Sequence, residues 1–293
     1  MRFLILGSSG MAGHTVSQYL AERQHEVVGM SRSECPLLHE DVVQVYGDMY
    51  DYSPVDRAIK EGEFDIVVNA VGMLNKACDK QPDAAIYLNS YLPHRLVSTV
   101  ENLPTRIIHL STDCVFAGNT GPYSEISIPD GTTLYDRTKA LGEIDDDKNL
   151  TLRQSIVGPD TKSEGIGLLN WFMQQHGTIF GYDRAIWTGL TTLELSKAIE
   201  ACALDGSIGL VNMVPDEGGI SKYELLQLFN CQLRSEKIEI VPSSSVDIDK
   251  TLVRDNYDSL FRPKSYAAQI EEMAEWIGNH LAFYPQYRRA MGL

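Results

Sequence analysis

The tightest constraint in this sequence lies at its start. Four apolar residues, Phe3 to Leu6, run into a turn carrying Gly7, Gly10 and Gly13, and an amphipathic stretch over 11–24 follows at once. A strand that passes through glycines into a helix opens a β-α-β unit, because glycine lets the backbone turn sharply and lets the helix pack close. The apolar run is too short for the core of a secretory signal. The turn also lacks the Gly-Lys-Ser/Thr ending of a P-loop, so phosphate binding of the ATP type is not indicated.

Strand and helix signals then alternate. Strands are expected over 25–32, 42–48, 64–72 and 105–112, with helices over 54–60 and, as one long element, 83–101. One more helix and a single strand over 149–159 follow. β-rich runs separated by helices predict a parallel sheet with both faces covered. Beyond Pro159 the pattern shortens: helices over 167–175, 191–204, 222–233 and 266–282, and strands over 208–214 and 236–241. No polar linker separates this part, which is expected to line a cleft over the sheet.

Composition removes several function classes. The chain has 293 residues and a formal charge of -15, which argues against a nucleic-acid groove, so an anionic ligand must be held by local donors. Its five cysteines, Cys35, Cys78, Cys114, Cys202 and Cys231, are odd in number and form no C-x-x-C pair, which suggests neither a disulfide framework nor a zinc site and fits a reducing cytoplasm. No apolar stretch approaches the roughly 20 residues needed to span a bilayer.

Two constellations carry chemistry. The spacing Gly7-x-x-Gly10-x-x-Gly13 places a helix N-terminus where a dinucleotide pyrophosphate rests. At the end of the next strand stands Ser31-Arg32-Ser33, where NAD-binding units usually carry an acid. Arg32 there suits the 2′-phosphate of NADP, although Glu34 is close by. A hundred residues on, a strand ends at Ser111 and Thr112, and the next helix opens with Tyr135 and Lys139, four apart on one face. A tyrosine can protonate a carbonyl oxygen as hydride arrives, an adjacent ammonium is expected to lower its pKa from about 10, and a hydroxyl such as Thr112 completes the cradle. His14 reads as a packing or capping residue, the segment 143–148 as a solvated charged helix end, and Trp171, Phe172 and Trp187 as either core or base-stacking rings.

With these residues in place the chain resembles the extended short-chain dehydrogenase/reductases, and within them the dTDP-4-dehydrorhamnose reductase family of sugar-nucleotide reductases. The motifs are "ILGSSGMAGHTV", "YGDMYD", "VVNAVG", "LNSYLP", "LSTDCVFAGNTGPYSE" and "YDRTKALGE". The resemblance implies a Rossmann-type α/β fold: a doubly wound parallel sheet with a smaller C-terminal α/β substrate-binding lobe. Residues 1–160 would bind NADP and carry the Tyr/Lys helix, and 161–293 would mainly bind substrate, with some segments returning to the first domain. Gly7, Ser9, Gly10, Met11 and Gly13 would hold the pyrophosphate, Asp48 and Met49 the adenine, and Ala70, Val71 and Gly72 the underside of the cofactor. Asn89 would support the geometry, Tyr135 would donate the proton, Lys139 would bind the nicotinamide ribose, and Thr112 would hold the carbonyl.

The sequence departs from the family at Cys114, usually Tyr, after a family-like Asp113. It departs again at Ile156, in "LRQSIVGPD", and loosely around Trp187. These are the expected sugar and nucleotide contacts. The implied activity is NADPH-dependent reduction, NADH also being possible, of the C4 keto group of an NDP-4-keto-6-deoxyhexose in surface-polysaccharide biosynthesis. A cytoplasmic protein without a metal is expected, with a homodimer as the candidate assembly. An NAD-dependent sugar-nucleotide epimerase or dehydratase, and a non-catalytic NADP-binding regulatory subunit, are the alternative readings.

Overall fold

In a computed structural model, which describes residues 1–35, 37–256 and 259–293, apolar strands alternate with covering helices through the first half of the chain. The elements are β1 (Arg2–Leu6), α1 (Met11–Glu22), β2 (Glu26–Ser31), β3 (Val42–Tyr46), α2 (Tyr52–Glu61) and β4 (Ile66–Asn69). There follow α3 (Asn75–Lys80), α4 (Pro82–Ile86), α5 (Leu92–Val100), β5 (Arg106–Leu110), α6 (Leu134–Leu141) and β6 (Leu150–Arg153). The second half adds β7 (Ser155–Val157), α7 (Leu168–Met173), β8 (Thr178–Trp187), β9 (Gly189–Thr191), α8 (Thr192–Asp205) and β10 (Gly209–Asn212). It ends with β11 (Ile220–Ser221), α9 (Lys222–Leu233), β12 (Glu239–Asp249), α10 (Tyr266–Asn279) and α11 (Arg288–Met291).

Among the described residues, the main sheet has seven strands in the order β10-β6-β5-β4-β1-β2-β3, all paired parallel. It is the doubly wound Rossmann arrangement. Chain order reverses between β1 and β4, and such a reversal opens a crevice at the carboxyl ends of the strands. Strand β1 is buried on both faces, with Phe3 and Ile5 in one core and Leu4 and Leu6 in the other. That is why its sequence reads as an unbroken apolar run.

The expected long helix over 83–101 is instead interrupted. Tyr87–Tyr91 form a π turn between α4 and α5, ahead of Pro93, whose missing N–H and bulky ring prevent a regular α-helical ladder there. The strand expected over 149–159 also divides. β6 stays in the main sheet, while β7 leaves it after Gln154 and pairs with β9. Strand β8, which no sequence signal announced, is the centre of a separate sheet in the order β11-β8-β12, with α9 packed against it. β8 buries only alternate residues and leaves Phe180 and Tyr182 exposed.

The C-terminal segment closes over the first helix. Within the main core, His14 on α1 is fully buried, its Nδ1 2.9 Å from the Gly10 carbonyl oxygen and its Nε2 2.8 Å from the Tyr284 hydroxyl. Burial lowers the His14 pKa to about 4, so the ring is neutral, donating to Gly10 and accepting from Tyr284. Replacing Tyr284 with Phe is expected to leave that nitrogen only the Thr15 hydroxyl, 3.4 Å away, and to cost about 1–3 kcal/mol. The denaturant midpoint should fall while the slope of the transition stays the same, and an unchanged midpoint would show that the contact contributes nothing.

Candidate functional site

The glycine turn builds a cradle out of backbone. Gly7 sits at φ +84°, a conformation that side chains rarely adopt, and a Cβ on Gly13 would lie 2.1 Å from the Gly7 carbonyl oxygen. Helix α1 therefore starts in contact with the end of β1. No side chain caps its N-terminus and its first turn holds no acid, so the positive end of the helix is open to an anion.

A cleft runs from this turn across the carboxyl ends of the strands. Among the expected cofactor residues, Gly7, Ser9, Gly10, Arg32, Asp48, Met49, Ala70, Val71 and Gly72 line it. Met11 and Gly13 do not line it, and Gly13 packs against the Gly7 carbonyl at its edge. Tyr50 and Lys162 also line it, and neither was picked out from the sequence. Tyr50 stacks on Tyr87 at 5.4 Å between ring centroids, beside the Asp48 end, whereas Lys162 comes from the loop between β7 and α7. A lysine in an irregular loop has no periodicity to reveal it.

The second constellation gathers next to the cleft, beyond Gly72. Thr133 and Asp136 form a capping box that starts α6 and fixes Tyr135 in its first turn. Tyr135 is buried against Cys78 and Ala85, with Met73 and Cys114 alongside. Asn89 ties this cluster to the cleft wall. Its Oδ1 accepts from the Met73 amide at 2.8 Å, and its Nδ2 donates to the Met73 carbonyl at 3.0 Å and to the Thr138 hydroxyl at 3.1 Å. The π turn presents Asn89 in this position.

The electrostatics correct one expectation. Burial raises the Tyr135 pKa, Cys114 adds to the rise, and among the leading influences only the neighbouring Thr112 hydroxyl lowers it. Lys139 does not provide the expected depression, because its Nζ is turned to the Leu110 carbonyl oxygen at 2.7 Å. Lys139 is itself lowered to about 8, chiefly by burial. A phenol held above its ordinary value stays protonated at neutral pH and is poised to give a proton.

The expected substrate residues separate. Asp113 is buried behind Thr112, whose hydroxyl donates to it at 3.1 Å, and burial raises its carboxyl pKa against the opposing charges of Lys250 and Lys222. Cys114 follows it, with a thiol raised to about 12 by burial. Ile156 lies half-buried in β7, against the main core. Trp187 is not an open base platform: it is buried in that core with its ring 5.5 Å from Tyr266. Phe172 is likewise core, against Phe229, and Trp171 keeps an exposed face. Glu143 is also corrected. It is a buried ion-pair partner of Arg153 and not part of a solvated helix end. Among the described residues no helix is long and apolar enough to cross a membrane, and no group of three or more His, Cys, Asp or Glu is placed to hold a metal.

The chain is similar to known proteins in sequence and in fold. A probable low-salt glycan biosynthesis reductase of Haloferax volcanii is 32% identical over 145 residues, covering 49% of this chain and 48% of the relative. A dTDP-4-dehydrorhamnose reductase of Mycolicibacterium smegmatis is 30% identical over 146 residues, covering 48% of this chain and 40% of the relative. The chain thus matches about half, or less, of the length of these curated relatives. A dTDP-4-dehydrorhamnose reductase of Bacillus anthracis, solved in complex with NADP, shares the fold with a TM-score of 0.76 at 17% identity, over 93% of this chain and 98% of that one. The family described as RmlD substrate binding domain matches residues 1–157, which is more than half of the sequence, and to that family the chain belongs.

Proposed function

We propose that the protein reduces the C4 keto group of a nucleotide-linked 4-keto-6-deoxyhexose, using NADPH, in cytoplasmic nucleotide-sugar and surface-polysaccharide synthesis. The observation that carries the reading is the meeting of a buried, protonated Tyr135 with the Thr112 hydroxyl beside a cleft that begins at an uncapped helix N-terminus. The NADP complex of the Bacillus anthracis relative and the reductase names of the family members support it.

The residues present fit a nicotinamide dinucleotide. Residues 1–160 hold it: the α1 amides and Ser9 take the pyrophosphate, Met11 and Gly13 keep the turn close, Asp48 and Met49 border the adenine, and Ala70 to Gly72 form the floor. The cofactor, when bound, supplies the hydride. Thr112 turns its hydroxyl proton from Asp113 to the carbonyl oxygen and orients it, and Tyr135 protonates that oxygen as negative charge develops. Lys139 binds the ribose, and Asn89 keeps the wall between cofactor and phenol in place. Residues 161–293 supply most of the sugar-nucleotide contacts, facing Asp113 and Cys114.

The deciding experiment is NADPH oxidation against a panel of NDP-4-keto-6-deoxy sugars. Turnover supports the reductase. Tight cofactor retention with isomerisation or dehydration in place of net oxidation would indicate an epimerase or dehydratase, and binding without any turnover a regulatory subunit. Tyr135→Phe keeps the ring and its packing, so NADPH affinity should survive while kcat falls by about 10²–10⁴. A variant within about threefold of wild type would remove Tyr135 from the proton step.

Arg32 is exposed at the cleft's far end, where its planar fork can take a phosphate dianion. Arg32→Ala is expected to weaken NADPH about ten- to a hundredfold, the equivalent of one charge-assisted contact, and to leave NADH nearly unchanged. Equal losses for both cofactors, measured by fluorescence titration, would show that Arg32 does not touch the 2′-phosphate.

A further inference from the structure

Behind Thr112 lies a buried ion pair that the reading above does not use. Arg153, at the end of β6, donates to Glu143 twice, Nε to Oε1 at 2.8 Å and Nη2 to Oε2 at 2.6 Å. The two side chains are 2% and 8% exposed. Two charges this deep lose their hydration, and an apolar pair of similar volume would commonly serve stability as well or better.

The rest of the network shows what the pair holds. Glu143 Oε1 also accepts from the Ser111 hydroxyl at 2.6 Å, and Ser111 immediately precedes Thr112. Arg153 Nη1 reaches Asn212 Oδ1 at 3.4 Å, and its guanidinium lies 5.0 Å from the centre of the Phe116 ring. Asn212 in turn donates to the Tyr123 and Val253 carbonyls at 3.2 and 2.7 Å. One carboxylate thereby fixes the strand end that carries Thr112 and anchors the loop that continues from it.

We propose that Glu143 is a positioning residue for the reduction. Its carboxylate, oriented by Arg153, accepts from the Ser111 hydroxyl and so holds the strand end that carries Thr112. The inference rests on reading Thr112, Tyr135 and Lys139 as the reducing site, yet its first test needs no turnover.

That test follows the methyl resonance of Thr112 in threonine-labelled protein, the signal being assigned by its loss in Thr112→Ser. Glu143→Gln strands the Arg153 guanidinium and weakens folding, so Glu143→Gln/Arg153→Met, which removes both charges, is measured beside it. In both, the Thr112 methyl signal is expected to shift and broaden as its strand end loses the Ser111 anchor. With a keto-sugar substrate, kcat falls by up to about a hundredfold while the KM for NADPH stays within about threefold, a split that general loosening of the fold would not give. A double variant with the wild-type Thr112 signal, or with the wild-type kcat, overturns the positioning role. Failure of wild type to turn over any keto-sugar, with the Thr112 signal still shifted in the variants, would count against the reductase reading and not against Glu143.

Discussion

The contact between Gly13 and Gly7 sets the rest of the site. Because a methyl group at Gly13 would fall almost on the Gly7 carbonyl oxygen, helix α1 lies as close to the strand end as backbone permits. Its first amides consequently point along the cleft, undiluted by a capping side chain. The parallel sheet then fixes the distances to everything else, since β4 and β5, the next strands across the reversal, deliver Ala70 to Gly72 and Ser111 to Thr112 at the same end. A chain with a formal charge of -15 can attract an anionic ligand only through such locally oriented groups.

Burial dominates the chemistry of this end of the sheet. It raises Tyr135, Asp113 and Cys114 and lowers Lys139 and His109, so the direction of each shift follows from loss of water before any partner is considered. The result is a set of groups whose charged forms burial disfavours, beside one retained ion pair, Glu143 with Arg153. Such a surrounding strengthens whatever charge develops during a reaction, because little water remains to screen it.

Much of this was legible from residue order. Continuous apolar runs announced β1, β2, β4 and β5 because parallel strands bury both faces, and the Tyr135/Lys139 spacing survived because it is local to one helix. What escaped were features decided by distant partners. Strand β8 alternates buried residues with exposed Phe180 and Tyr182 and contains Gly181, so its apolar signal is half-strength. Trp187 could have faced a ligand or the core, and only the arrival of α10 with Tyr266 decided for the core. Glu143 opens a run with three aspartates and looked solvated, but Arg153 and Ser111, which bury it, come from other strands. The family resemblance pointed to Asp48, Met49 and Ala70 to Gly72, which line the cleft and which local spacing alone did not single out.

The bond between His14 and Tyr284 joins residues 270 positions apart. On a ribosome adding about 5–20 residues per second, the helix of the glycine turn emerges on the order of ten to fifty seconds before the hydroxyl that satisfies its buried ring. Until then the imidazole has to face water, and α1 cannot seat fully against the sheet it helps to cover. The packing behind the glycine turn is therefore completed only by a segment made some 270 residues after it.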